Sequence, residues 1–133
     1  MATTTHPKVH CASGSLTLAE VAANTLAGTI IVKPAPDRTI TVLDGWLRSP
    51  GHNAAGATTV ILTDTEAAPT TIVSATVGAL LADVVARFGV TNVTFTAPNA
   101  ALTKGTGLRI GCTGSALTTS HSLDYLVYYT VTV

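Results

Sequence analysis

The stretch Ser122–Val133, SLDYLVYYTVTV, decides how the rest of the chain is read. With the period of two that a pleated strand imposes, Leu123, Tyr125, Val127, Tyr129, Val131 and Val133 share one face. Ser122, Asp124, Leu126, Tyr128, Thr130 and Thr132 share the other. The first face is wholly apolar or aromatic, and the second is mixed. Such a strand packs on a core through its first face and pairs along at least one edge. Chain ends are ordinarily polar and mobile unless something ties them down. An apolar strand that runs to the last residue is therefore expected to be integral to the fold or to an assembly. Its second face, marked by Tyr128, is expected to meet either the protein interior or a sister subunit.

Outward from that strand, the chain reads as short extended runs separated by turn chemistry. TIIVKPAP (29–36) is a strand stopped by two prolines, which cannot continue a central ladder. RTITVLDGWLRS (38–49) is the clearest strand of the first half. Strict alternation places Ile40, Val42, Asp44, Trp46 and Arg48 on one face, and Thr39, Thr41, Leu43, Gly45 and Leu47 on the other. After the loop PGHNAAGA, the runs 58–64 and 70–77 pair across the turn TEAAP, and further strands follow at 90–97 and 107–114. GALLADVVARFG (78–89) is ambiguous. Leu80, Leu81, Val84, Val85 and Phe88 recur at helical spacing before Gly89, which admits a short helix or a turn plus another strand. The pattern predicts a single all-β domain, an antiparallel β-sandwich or jelly roll of about eight strands over residues 16–133. Residues 1–15 are expected to form an extended N-terminal arm.

Composition narrows the function. Charged residues make up only 11% of the 133, against about 25% in ordinary globular domains, and the formal net charge is zero. No basic cluster could neutralise several phosphates, so nucleic acid is not an expected partner. No basic-then-apolar leader opens the chain, and no apolar run of about 18 residues or more could span a bilayer, so no membrane partner is expected. A surface this poor in ions suits a protein whose exterior is covered by neighbours. Cys11 and Cys112 are expected to be reduced thiols, with Cys112 buried beside Leu108 and Ile110; the alternative is a disulfide tying the arm to that strand.

A search for chemistry finds no catalytic constellation. GTGLRIG (105–111) lacks the third glycine of a dinucleotide fingerprint and opens a strand rather than a helix, so no cofactor is expected. HPKVHC gathers His6, His10 and Cys11, residue types that bind zinc, but no second ligand pair stands at motif spacing, and no metal is expected. SHSLD (120–124) holds Ser, His and Asp as near neighbours, which strand alternation would separate. The carboxylates are scattered. Asp64 and Glu66 fall at a turn, where capping or solvation is the expected role. Asn92-Val-Thr94 fits a glycosylation sequon without a leader to give it context. Trp46 reads either as core or, with Arg48, as an interface anchor, since both residue types are enriched at contact hot spots.

The runs HPKVHCASGSLTLAEV, RTITVLDGWLRSPG, ALTKGTGLRIGCTGSAL and DYLVYYTV together resemble the small β-sandwich virion proteins of tailed bacteriophages, capsid decoration or cement proteins and related head proteins. The segment ALTKGTGLRI also resembles the corresponding part of trimeric jelly rolls of the tumour-necrosis-factor or head-fibre type. The resemblance covers nearly the whole chain by pattern and order. It implies a protein without enzymatic activity, made in the host cytoplasm and placed on the capsid surface of the virion. Its implied partners are the major capsid protein and itself, as a homotrimer. Trp46, Arg48, Tyr128, His6 and His10 are the candidate interface residues. The alternative is a receptor- or glycan-binding module of a head fibre or tail.

Overall fold

The structure, a computed structural model, describes residues 8–21, 28–118 and 122–133. The expected β-sandwich is present. One sheet contains, in spatial order, β1 (Val9–Thr17), β9 (Ser122–Thr132), β3 (Thr39–Arg48) and β6 (Val85–Arg87). The other contains β2 (Thr29–Val32), β8 (Leu108–Thr113), β4 (Thr59–Asp64), β5 (Thr71–Thr76) and β7 (Val93–Phe95). Every ladder between these strands is antiparallel. The chain passes repeatedly between the sheets, so spatial neighbours such as β1 and β9 come from opposite ends of the sequence, as in a jelly roll. Leu16, Ile40, Val42, Leu47, Leu123 and Val127 from the first sheet meet Val60, Leu62, Val73, Leu108, Ile110 and Cys112 from the second in one buried cluster.

β9 occupies the middle of its sheet, paired with β1 on one edge and β3 on the other. Its alternation runs as the sequence predicts. Leu123 and Val127 are fully buried, Tyr125, Tyr129 and Val131 are half-buried against the core, and Tyr128 is exposed. Val133 lies past the last ladder pair and is fully exposed.

The expected arm divides differently. From Val9 onward it is part of the sandwich, because β1 pairs with β9 residue by residue from Val9 opposite Thr130 to Thr17 opposite Ser122. The sequence signal there is weak for a physical reason. Three inward positions of β1, Ala12, Gly14 and Leu16, include two that are nearly side-chain-free. The bulk at Gly14 comes instead from its cross-strand neighbour, the Tyr125 ring, which lies against it. Burial pushes the Tyr125 phenol above its usual pKa, with the charge of Glu20 adding to the shift.

The ambiguous segment resolves as turn plus strand. Val77–Ala79 forms one 3-10 turn and Val85–Arg87 forms β6. Leu80, Ala86 and Phe88 face the core, while Leu81, Val84 and Val85 of the supposed helical stripe are exposed. Asp83 adopts φ 60°, and its N–H donates to the Ser49 carbonyl at 2.9 Å, which turns the chain into β6.

β3 departs from strict alternation. Leu43 is skipped in the ladder, with Val42 opposite Tyr129 and Asp44 opposite Tyr128, so the strand carries a β-bulge. Before the bulge, Ile40 and Val42 point inward; after it, Gly45 and Leu47 do. Asp44, Trp46 and Arg48 are thereby turned to the outside, and Trp46 is not a core residue. The bulge also falls where the strand changes its second neighbour. Thr41 bridges Ala101 and the Val42 N–H donates to the Ala100 carbonyl, whereas Trp46–Arg48 pair with β6. The Asp44 carboxylate accepts the Gly45 N–H at 2.8 Å and so closes the irregularity locally.

Candidate interface on the four-stranded sheet

The outward face of this sheet is assembled by register. Trp46 lies opposite Leu126 of β9 on one side and Arg87 of β6 on the other. Tyr128 lies opposite Asp44 on β3 and Cys11 on β1. Arg48 lies opposite Asp124 and Val85. Cross-strand and diagonal neighbours in a sheet stand about 5–8 Å apart, so Trp46, Leu126 and Tyr128 are mutual neighbours. Leu126 and Trp46 are half-buried, and Tyr128, Val85 and Val9 remain widely exposed, at 42%, 52% and 54%. Isolated exposed apolar residues are ordinary; a group that register gathers around Trp46 and Tyr128 is less so.

Two ion pairs border this group. Arg87 Nη2 meets Asp44 Oδ2 at 2.6 Å, and Arg48 Nη2 meets Asp83 Oδ1 at 3.0 Å. The Arg87 hydrogen bond is the main cause of the lowered Asp44 pKa; burial opposes it and the Gly45 N–H assists it. The Asp83 carboxyl is also held low, first by the Gly51 N–H at 3.0 Å and then by Arg48. The two cations are thus used locally, and the Asp44–Arg87 pair lies directly beside Tyr128 and Trp46, with Asp124 opposite Arg48. Apolar and paired charged side chains mixed in this way also occur at protein contact surfaces. The face carries no nucleophile–base pair among its described members.

Of the five residues expected at an interface, Trp46, Arg48 and Tyr128 come together here. His10 does not. It projects to the opposite side of β1, half-buried and stacked on its cross-strand partner Tyr129, with ring centroids 5.4 Å apart and planes 19° from parallel. His6 lies outside the described residues, as do residues 120 and 121 of SHSLD. His10 and Cys11 are consecutive in a strand and point to opposite faces, so these two residues of HPKVHC do not converge.

The cysteines are also separated. Cys11 faces outward from one sheet and Cys112 inward from the other, and both are free thiols. Burial raises the Cys112 pKa, and its Sγ–H donates to the Val21 carbonyl at 3.4 Å. Asp64 has the capping role expected of it. Its Oδ1 accepts the N–H groups of Glu66 and Thr70, each at 3.1 Å, and ties the β4–β5 turn.

Sequence reading did not find Val85, Arg87 and Asp83, whose segment carried helical rather than strand periodicity. Leu126 was legible, because it shares the period-two face of Tyr128. No protein-family model, curated protein or solved structure matches this chain.

Proposed function

We propose that the chain is a structural virion protein, a capsid decoration protein that binds the major capsid protein lattice and stabilises the phage head. In this reading it acts as a homotrimer joined through the outer face of the four-stranded sheet. The observation that carries the reading is the outward cluster of Trp46, Leu126 and Tyr128. A strand central to the fold spends its second face on aromatic surface that the protein's own interior does not cover, which leaves a sister subunit as the surface that does. The paired charges beside the cluster favour a specific docked geometry over loose adhesion. The low content of charged residues agrees with an exterior that is largely covered in the assembled particle. Binding to a shell requires durable contact rather than turnover, and a rigid sandwich fastened at its first and last strands provides that.

Gold-labelled antibody against the chain, imaged on intact virions of the source, tests the placement. Label spread evenly over the heads, with heads lacking the protein disrupted at lower temperature, is the expected result. Label confined to the tail or a fibre tip would favour a receptor- or glycan-binding module instead. Particles without label would overturn the virion reading altogether.

A further inference from the structure

On the opposite side of β9 from the aromatic cluster, the sandwich opens at one end into a pocket of about 160 Å³. Its apolar walls are Val32, Ile40 and Val131, inward residues at the ends of β2, β3 and β9. Its polar lining combines two cations with a hydroxyl, Thr106, and a ring pair. Lys33 and Arg38 stand exposed at the mouth, and His10 and Tyr129, stacked on each other, form one side. Among the described residues, no carboxylate lines it. Among the described residues, the ion pairs are those of Arg48 and Arg87, and neither Lys33 nor Arg38 belongs to one.

The pocket is also held open by the backbone. The loop from Lys33 to Arg38 folds on itself through the Arg38 N–H to the Ala35 carbonyl at 3.1 Å. The facing loop is tied to the same region by the Gly105 N–H to the Arg38 carbonyl and the Leu102 N–H to the Ile40 carbonyl, both at 2.9 Å. Gly107 sits directly against the Val32 carbonyl and Pro34, where a Cβ would collide with backbone, so the two loops approach as closely as glycine permits. The shape therefore exists before any ligand arrives, and a preformed site avoids part of the ordering cost of binding.

We infer that this pocket is a binding site for a small organic carboxylate. The anion is received by Arg38 and Lys33, and its compact apolar body lies between Ile40, Val131 and the stacked His10–Tyr129 pair. A guanidinium presents a fork of donors that matches a carboxylate, and an ammonium beside it adds charge without demanding geometry. The volume suits one ring, since a cavity of about 150 Å³ accepts benzene. A bare inorganic anion would leave the apolar walls unused, and a neutral ligand would leave the two cations unused. The inference is independent of the interface reading, because the two sites use opposite faces of the same strand and each can fail alone.

The test is a titration of the full isotopically labelled chain with sodium benzoate, followed by amide chemical shifts. Benzyl alcohol and sodium phosphate serve as the neutral and the apolar-free controls. Saturable shifts confined to Ile40, Thr106, Tyr129, Val131 and their neighbours are expected, with half-saturation at about 1 mM or below. Arg38→Gln together with Lys33→Gln should weaken binding about tenfold or more. Both side chains are exposed, so the remaining spectrum of that variant should be unchanged. Absence of saturable shifts would overturn the site. Equal response to benzyl alcohol would remove the role of charge, equal response to phosphate would remove the role of the walls, and either would overturn the proposed ligand class.

Discussion

The two outer faces of this sandwich are made by the same pleat and finished in different ways. On the five-stranded sheet, hydroxyl side chains of β8, β4 and β5 meet across the strands, beside an outward Ile61 that is itself buried and an Ile30 that is exposed. Thr59 stands between Thr113 and Thr76, its hydroxyl bonded to that of Thr113, and Ser74 stands between Ile61 and Thr94. These β-branched and hydroxyl side chains favour the strand and accept water. On the four-stranded sheet, the corresponding positions hold Trp46, Leu126, Tyr128 and Val85. The chain has three tyrosines and one tryptophan, and all four lie on β3 and β9. Tyr125 and Tyr129 face inward, so Trp46 and Tyr128 are the two that the four-stranded sheet turns outward. The threonine-rich composition conceals that asymmetry until the strands are placed.

The comparison can be broken most drastically within β9. Deleting residues 129–133 removes the end of a central strand, including the partners of Val9, Ile40 and Thr41. Loss of soluble folded protein is expected, and recovery of a well-folded deletion variant, judged by circular dichroism and sedimentation, would show that β9 is not central. A finer contrast uses one residue type on two faces. Leu123→Ala, at a fully buried inward site, should cost about 2–5 kcal/mol in denaturant unfolding. Leu126→Ala, measured in a Tyr128→Asp background to keep the chain dissociated, should change stability by only about 0.5 kcal/mol.

How much of this was legible in the sequence depends on the strand. β9 keeps its phase for its whole length, so the Leu123–Val127 core could be read from SLDYLVYY alone, whereas the mixed face of Leu126 and Tyr128 stayed open between the interior and a sister subunit. β3 has an equally clear pattern, and strict alternation misassigned its second half. A bulge adds one residue and inverts the face of everything after it, and Leu43, an apolar residue in an apolar run, leaves no mark of that inversion. Alternation consequently favoured Trp46 as core over contact, and only the register turns it outward. β6 was hidden because Leu81, Val84 and Val85 imitate a helical stripe while facing solvent. The carboxylate pocket was not legible at all. Lys33 and Arg38 flank a proline turn, and their meeting with His10 and Tyr129 depends on pairings between distant segments.

The ion pairs of the contact face offer a smaller test. The Asp44 and Asp83 carboxyls are both held below the usual value of 3.8, the first chiefly by Arg87 and the second chiefly by the Gly51 N–H. A carboxyl with a lowered folded-state pKa stabilises the fold above its unfolded value and loses that contribution as pH falls through the folded one. The stability of the wild-type chain should therefore decline below about pH 4. Asp44→Asn should flatten that decline, and identical pH profiles for the two proteins would show that the Arg87 pair has no energetic role.

The central claim is that the aromatic face of the four-stranded sheet joins copies of this chain. Sedimentation velocity of the purified protein, alongside Trp46→Ala and Tyr128→Asp, tests it most directly. The wild-type chain should sediment as a species of three times 13.5 kDa, and each substitution should shift it toward a folded monomer. A wild-type chain that stays monomeric at high concentration, or a trimer indifferent to both substitutions, would contradict it.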